Sequence, residues 1–218
     1  MPELIYETVV TTRDAAGRVH IAPMGVRYLG DEVVLMPFRP SQTLANIEAG
    51  GCAVLNLLTE VRVFAGCVTG RRDWPTLPLD DGSPGVPPFP GVRLAAALGH
   101  AALRLVHHDQ GAERPVLRLA RVHEATHAPF AGLNRAQAAV IEGAVLVSRL
   151  HLLPADKVER ELAYLQIAID KTAGPAELEA WGWLLQAVAA HAARSAAGPA
   201  AGPAEPPASG VSWGRPGR

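Results

Sequence analysis

Cysteine is scarce in this sequence: Cys52 and Cys67 are the only two among 218 residues. They form neither a C-x-x-C pair nor a disulfide framework, which excludes a disulfide-stapled secreted scaffold and is typical of a reducing compartment. The N-terminus, MPELIYETVV, lacks the basic segment and long apolar segment of a signal peptide. We therefore expect a cytoplasmic protein.

An excess of one charge and long apolar runs are also missing. The formal net charge is -1 and no Lys/Arg block stands out, so we expect no nucleic-acid surface. No run reaches the roughly 18 apolar residues that a membrane helix needs. The length suits one main domain with a smaller appendage, large enough to bury a full core.

Strand-like composition dominates the first part of the chain. Segments of this kind span residues 5–12, 19–28, 32–38, 52–58, 61–69, 98–108 and 115–126. Only the stretch SQTLANIEAGG (41–51) resembles a short helix, closed by a glycine C-cap. Hairpin-like neighbours with one short helix predict an α+β protein built on an antiparallel barrel, not a parallel doubly wound sheet.

The pattern becomes helical after residue 129. Asn134 with Gln137 reads as a capping box, and Pro154 and Pro175 mark the starts of two further helices. On the last helix the apolar spacing predicts one buried stripe of Leu178, Trp181, Leu185 and Val188.

Three segments follow from these patterns. Residues 1–128 are predicted to form the barrel, interrupted by a Pro-rich loop at 71–91 that either serves as a lid or partner contact or is a passive insertion. Residues 129–194 form a three-helix region. The Ala/Gly/Pro-rich tail, 195–218, is expected to be disordered.

The segment His123-Glu124-Ala125-Thr126-His127 matches the H-E-x-x-H pattern of zinc peptidases. That pattern needs a helix, which brings both histidines to one face. Here the preceding residues alternate as a strand does, and Pro129 follows at once. A strand would separate the two histidines by roughly 13 Å. We therefore expect no metal site and treat the peptidase as a minor alternative.

The residues around 39–46 have a better case for ligand binding. Arg39, Ser41 and Thr43 cluster where a strand gives way to a helix. Free N–H groups and the positive end of the helix dipole favour a phosphate there, and Arg39 adds a bidentate donor. From these residues alone, ordinary helix capping with a solvated arginine is an equal alternative.

The stretch SQTLANIEAGGCAVLNL resembles the D-T-x-x-N-I-x-x-x-x-x-F-x-V-N motif of flavin-reductase-like FMN-binding split barrels, and Ala22–Gly25 is similar to their A-P-x-S strand. The chain is also similar to a split-barrel flavoprotein family of unknown function, found in methanogenic archaea and in bacteria with pterin-linked one-carbon pathways. The N-R-A-x-x-A-V-I-E pattern at 134–142 belongs to that likeness.

The resemblance implies an FMN site and a split barrel that dimerises with flavin near the subunit interface. In that family's arrangement Arg39, Ser41 and Thr43 would hold the phosphate, with Asn46 supporting the turn. The ribityl chain or ring edge would meet Asn56, and the polar edge of the flavin would meet the backbone of Pro23, Met24 and Gly25. The position of the reductases' aspartate is Gln42 here.

Several functions stay open at this point. The first is an FMN-dependent oxidoreductase or flavin reductase acting with a small-molecule electron donor or acceptor, with no catalytic acid or base evident. The second is a flavin-binding protein without turnover, such as a carrier or assembly partner. The third is an interaction module whose phosphate turn is vestigial.

Overall fold

The computed structural model describes residues 4–79, 89–110 and 114–196. Its strands are β1 Tyr6–Arg13, β2 Val19–Leu29, β3 Glu32–Leu35, β4 Cys52–Leu57, β5 Thr76–Pro78, β6 Val92–Leu94, β7 Gly99–Asp109 and β8 Val116–Thr126. Its helices are α1 Gln42–Gly50, α2 Val61–Val68, α3 Arg135–Ser148, α4 Ala155–Thr172 and α5 Pro175–Ala196. None of these helices is long and apolar enough to cross a membrane.

Six strands close into an antiparallel barrel in the order β1-β2-β3-β8-β7-β4. Val10, Leu55 and Leu103 are buried inside it, and Leu44 and Ile47 of α1 complete this core. Alternation of inward and outward side chains along the strands produces this arrangement. The predicted α+β fold, an antiparallel split barrel followed by C-terminal helices, is confirmed.

A second core lies outside the barrel wall. Val9 and Ile21 of the first two strands pack there with Phe64 of α2 and with Val140 and Leu184 from the C-terminal helices. Strands β1 and β2 are therefore covered on both faces, which is why β1 is a nearly continuous buried run from Thr8 to Thr12.

The strand predicted at 61–69 is wrong, because Val61–Val68 forms helix α2. Glu60 caps this helix: its carboxylate accepts a hydrogen bond from the N–H of Arg62 at 3.2 Å. Six of the eight helical residues are buried. A helix surrounded by protein shows no polar face, so its composition does not differ from that of a buried strand.

The three C-terminal helices begin where the sequence predicts. Asn134 caps α3 by accepting from the N–H groups of Ala136 and Gln137. The Gln137 side chain, however, donates to Glu177 of α5 at 3.1 Å, so the capping box does not close.

The buried stripe predicted for α5 is only partly correct. Trp181 is buried, but Leu178 and Leu185 are 54% and 41% exposed. The buried face instead runs through Ala180, Trp181 and Leu184. Small side chains such as Ala180 allow two helices to approach closely. A prediction that selects the most hydrophobic residues of a helix does not identify them.

Gly143 is a point of close contact between α3 and α5. A Cβ there would lie 2.8 Å from Trp181 Cζ3 and 3.0 Å from Leu184 Cδ1. We expect Gly143→Ala to lower the free energy of unfolding by about 1 kcal/mol, since overpacking outweighs the gain in helix propensity. The matched control is Gly182→Ala on α5, which meets nothing within 4 Å and should be stabilising. Urea denaturation of both variants measures this, and equal effects would contradict the packing argument.

The Pro-rich segment at 71–91 contains more structure than a loop. Its β5 pairs with β6, with Thr76 opposite Leu94 and Pro78 opposite Val92. Leu79 and Phe89 then pack on Val54 at the outer barrel wall. Pro84, Pro87 and Pro88 lie outside the described residues, as does nearly all of the tail predicted to be disordered; α5 extends through residues 195 and 196.

Candidate functional site: the N-terminus of helix α1

Helix α1 begins with free donors facing one side. Ser41 is its N-cap, with φ -148° and ψ 142°, and the Ser41 Oγ accepts from the N–H of Leu44 at 3.1 Å. The Ala45 N–H bonds to the Ser41 carbonyl. The N–H groups of Gln42 and Thr43 have no partner within the helix, as in any first turn. They and the helix dipole make this end receptive to an anion.

Arg39 adds a permanent charge beside this turn. Its side chain is 43% exposed, and its guanidinium lies 3.7 Å from Glu48 Oε1, at the limit of an ion pair. Glu48 is shared with His108, whose Nε2 is 3.5 Å away. Nearby, the Arg114 guanidinium stacks 4.1 Å from the centre of the exposed Phe38 ring. Because Arg39 is so loosely engaged, its guanidinium is available to a bound anion.

Asn46 and Thr43 are buried under the turn, at 3% and 2% exposure. The Asn46 amide donates to Thr12 Oγ1 at 2.9 Å and accepts from the Gln42 side chain at 2.6 Å. Asn46 thus ties α1 to strand β1. The polar side chains that reach solvent at this turn are those of Arg39, the half-buried Ser41 and the exposed Gln42.

Asn56 is placed differently from the sequence expectation. It is 0% exposed. Its Nδ2 lies within 3.1–3.3 Å of Val9 O, Val54 O and Thr11 Oγ1, and its Oδ1 accepts from the Leu94 N–H at 2.7 Å. Every polar atom of the side chain is therefore engaged inside the protein. The amide holds β6 on the barrel and leaves nothing free for a ribityl chain or ring edge.

Pro23, Met24 and Gly25 lie half-buried in the middle of β2, opposite Val9, Thr8 and Glu7 of β1. The Thr8 hydroxyl donates to the Met24 carbonyl at 2.8 Å, which takes one of the two lone pairs of that oxygen. Gly25 packs against the Ile5 side chain. A Cβ at this position would lie 2.7 Å from Ile5 Cγ2, so the contact leaves no room for a larger residue.

The structure brings the phosphate-turn residues together and leaves the β2 residues apart from them. Helix α1 is anchored on Thr12, which pairs with His20. Met24 is four residues from His20, about 13 Å along the strand. A ligand contacting both groups has to be elongated and to run along the barrel wall.

The H-E-x-x-H segment is not helical: its first four residues end strand β8, and His127 follows directly after the strand. The structure nevertheless collects histidines there. His127 stacks on His100 with ring centroids 5.0 Å apart, and the His123 ring is 5.7 Å from His100. Among the described residues, no group of three or more His, Cys, Asp or Glu side chains has the arrangement of a metal site.

Two profiles of one family match the sequence, the N-terminal domain over residues 6–128 and a further segment over 134–186. The chain belongs to the DUF447 family. The family is described as proteins of unknown function. The two matched ranges coincide with the barrel and the helical region of this DUF447 chain. No functionally curated protein matches it.

One solved structure supports the fold of this DUF447 protein, and two others align with it over part of the chain. An FMN-bound DUF447 protein from Methanosarcina mazei aligns with a TM-score of 0.70 at 18% identity, covering 85% of this chain and 95% of its own. A split-barrel flavin reductase from Shewanella frigidimarina aligns with a TM-score of 0.47 at 15% identity, over 56% of this chain and 67% of its own. A 2-nitrobenzoate nitroreductase from Pseudomonas fluorescens gives 0.45 at 18%, over 58% and 66%.

Proposed function

We propose that this DUF447 chain is an FMN-binding flavoprotein of the cytoplasm that acts as an oxidoreductase. The observation that carries the proposal is the anion-receptive start of α1 beside the loosely paired Arg39, on the fold of a family member that is FMN-bound. An oxidoreductase is favoured over a carrier because flavin chemistry is supplied by the cofactor, and the protein need provide only binding and access.

The donor set at α1 fits a phosphate monoester. The Arg39 guanidinium, the Ser41 hydroxyl and the N–H groups of Gln42 and Thr43 would hold the phosphate, while Asn46 fixes the helix below them. Bound FMN would supply hydride or electron transfer. The backbone of Pro23–Gly25 is where we place the ring end, and Asn56 contributes only by holding the barrel wall.

We further propose that the protein acts as a homodimer. Ile5, Tyr6 and Tyr28 are 55%, 45% and 38% exposed at one end of β1 and β2, and the two tyrosine rings lie 5.1 Å apart. Beside Tyr28 and Leu57 lies a cavity of about 360 Å³. A second copy of the chain would cover this apolar end and narrow the space available to a flavin.

The test is the visible spectrum of the purified protein, before and after adding FMN and gel filtration. We expect retained FMN and bleaching of the flavin bands under anaerobic NADH or NADPH. The pterin-linked pathways suggested by the family resemblance make an oxidised pterin the first acceptor to try.

Each result bears on a different part of the proposal. Retained FMN that no reductant bleaches would favour the non-catalytic flavin-binding or assembly role. Protein that does not retain FMN would reject the flavoprotein proposal.

A further inference from the structure

A second cavity of about 320 Å³ opens on the outer face of the barrel, between the β7–β8 pair and the β5–β6 hairpin. One wall is apolar and includes Leu77 and Leu79. The other carries Arg93, His100, His123 and His127. No acidic side chain lines it among the described residues.

This cavity is separate from the start of α1. His108 marks the α1 end of β7 through its contact with Glu48. His100 lies eight residues away on the same strand, about 26 Å at 3.3 Å per residue. A ligand here is not the phosphate that the α1 turn would hold.

His100 has an unpartnered buried nitrogen. The side chain is 6% exposed, and its Nε2 has no hydrogen-bond partner within the described parts of the chain. Its Nδ1 is 2.8 Å from His127 Nε2, so one of these two nitrogens donates to the other. When His127 is the donor, the neutral His100 ring carries its proton on Nε2, as a buried donor without an acceptor. A buried donor of this kind destabilises the folded protein, and a ligand that supplies an acceptor would remove that cost.

Arg93 gives the cavity a positive charge. Its guanidinium donates to the Leu94 carbonyl at 3.2 Å, and no carboxylate of the described residues pairs with it. Burial, followed by the neighbouring His127, His123 and Arg93, lowers the pKa of His100 to about 4. Burial and Arg93 also lower the pKa of His127. Burial is the larger cause of both pKa shifts, and the positive charge of Arg93, which an anion would offset, adds to it.

We propose that this cavity is a binding site for a small carboxylate with an apolar body. The carboxylate would accept from the Arg93 guanidinium and from the buried His100 N–H, and the body would lie on Leu77 and Leu79. A carboxylate suits the site because its two oxygens match two divergent donors and its single charge balances one arginine. The contact between His100 Nδ1 and His127 Nε2 takes one nitrogen of each ring, and the histidines of the described structure do not have the arrangement of a metal site.

Benzoate is the probe, since it joins a carboxylate to a flat apolar ring, and benzamide is its uncharged match. Titration of the full chain, followed by the NMR signals of the histidine rings, should show saturable benzoate binding and a raised pKa for His100. Benzamide should bind at least about tenfold more weakly, because it has no charge to pair with Arg93. Benzoate affinity should increase as the pH falls from 7 to 5. The bound anion offsets the charge of Arg93 and so favours protonation of the histidines that face it.

Variants at the polar wall test whether the carboxylate is recognised through these side chains. Arg93→Gln should weaken benzoate binding about tenfold or more, and His127→Gln should also weaken it. The control is Arg104→Gln, which should leave benzoate binding unchanged. Arg104 is an exposed arginine on β7, the strand of His100, and its guanidinium stacks on Phe89.

Three results would overturn the proposal. Equal binding of benzamide would show an apolar cavity without anion recognition. Absence of saturable benzoate binding by the folded wild-type protein would show no site. Stoichiometric Zn²⁺ binding that shifts the His100 and His127 signals, with benzoate inert, would identify a metal site instead. Repeating the titration with and without FMN keeps this outcome independent of the flavin proposal.

Discussion

Arg39→Ala is expected to weaken FMN binding by about tenfold to a hundredfold, because a hydrogen bond to a charged group contributes about 1.5–3 kcal/mol. Arg39 is the charged donor beside the α1 turn, and its one ion pair in the described structure is a 3.7 Å contact with Glu48. Losing so exposed a pair costs little stability. The effect should therefore appear in the dissociation constant, measured by flavin fluorescence, and not in the unfolding midpoint.

Arg160→Ala is the matched control for this prediction. Arg160 pairs with Asp156 on the exposed face of α4, far along the chain from the α1 turn. Its removal should leave FMN affinity unchanged. If the Arg39→Ala protein binds FMN as tightly as wild type, the phosphate site is rejected and the α1 turn is an ordinary helix cap with a solvated arginine.

Asn56→Ala is expected to lower the free energy of unfolding by about 3 kcal/mol, since each buried group left without a partner costs about 1–3 kcal/mol. The substitution leaves the Leu94 N–H without its acceptor and removes the donor to Val9 and Val54. Urea denaturation with circular dichroism measures the loss. Below the unfolding transition, FMN affinity should stay close to wild type, because the side chain has no free polar atom.

Asn134→Ala provides the comparison for Asn56. Asn134 caps α3 at its N-terminus, and loss of such a cap costs about 1 kcal/mol. A result in which Asn56→Ala keeps its stability but loses FMN would reverse our assignment and restore the ligand contact suggested by the family resemblance.

Much of the barrel could be predicted because its strands show a local side-chain pattern that is visible in the sequence. Alternating side chains marked β2, β7 and β8 to within about one residue, and the Ser41 and Gly51 caps marked both ends of α1. Helix α2 could not be recognised, because burial on all sides removes the polar face that distinguishes a helix. In α5, Ala180 lies on the buried face and Leu178 does not. Packing against the neighbouring helices determines which face is buried, and the sequence of α5 alone does not show it.

The residues of the candidate site also differ in how well the sequence predicts their positions. Arg39, Ser41 and Asn46 are close in sequence, so local reasoning placed them together. The family resemblance assigns Asn56 to a ligand, whereas its partners Val9, Thr11 and Leu94 come from two other strands, which local sequence does not reveal. His100 was missed for the same reason: His127 reaches it only through the pairing of β7 with β8.

The core shared by β1, β2, α2 and the C-terminal helices has a consequence for how this chain tolerates truncation. A polypeptide ending near residue 130 would keep all six barrel strands but present Val9, Ile21 and Phe64 to water. The isolated helices would likewise expose Val140 and Leu184. Although two family profiles divide the sequence, the core outside the barrel wall takes side chains from both matched ranges, so we expect each range to be less stable alone than in the whole chain.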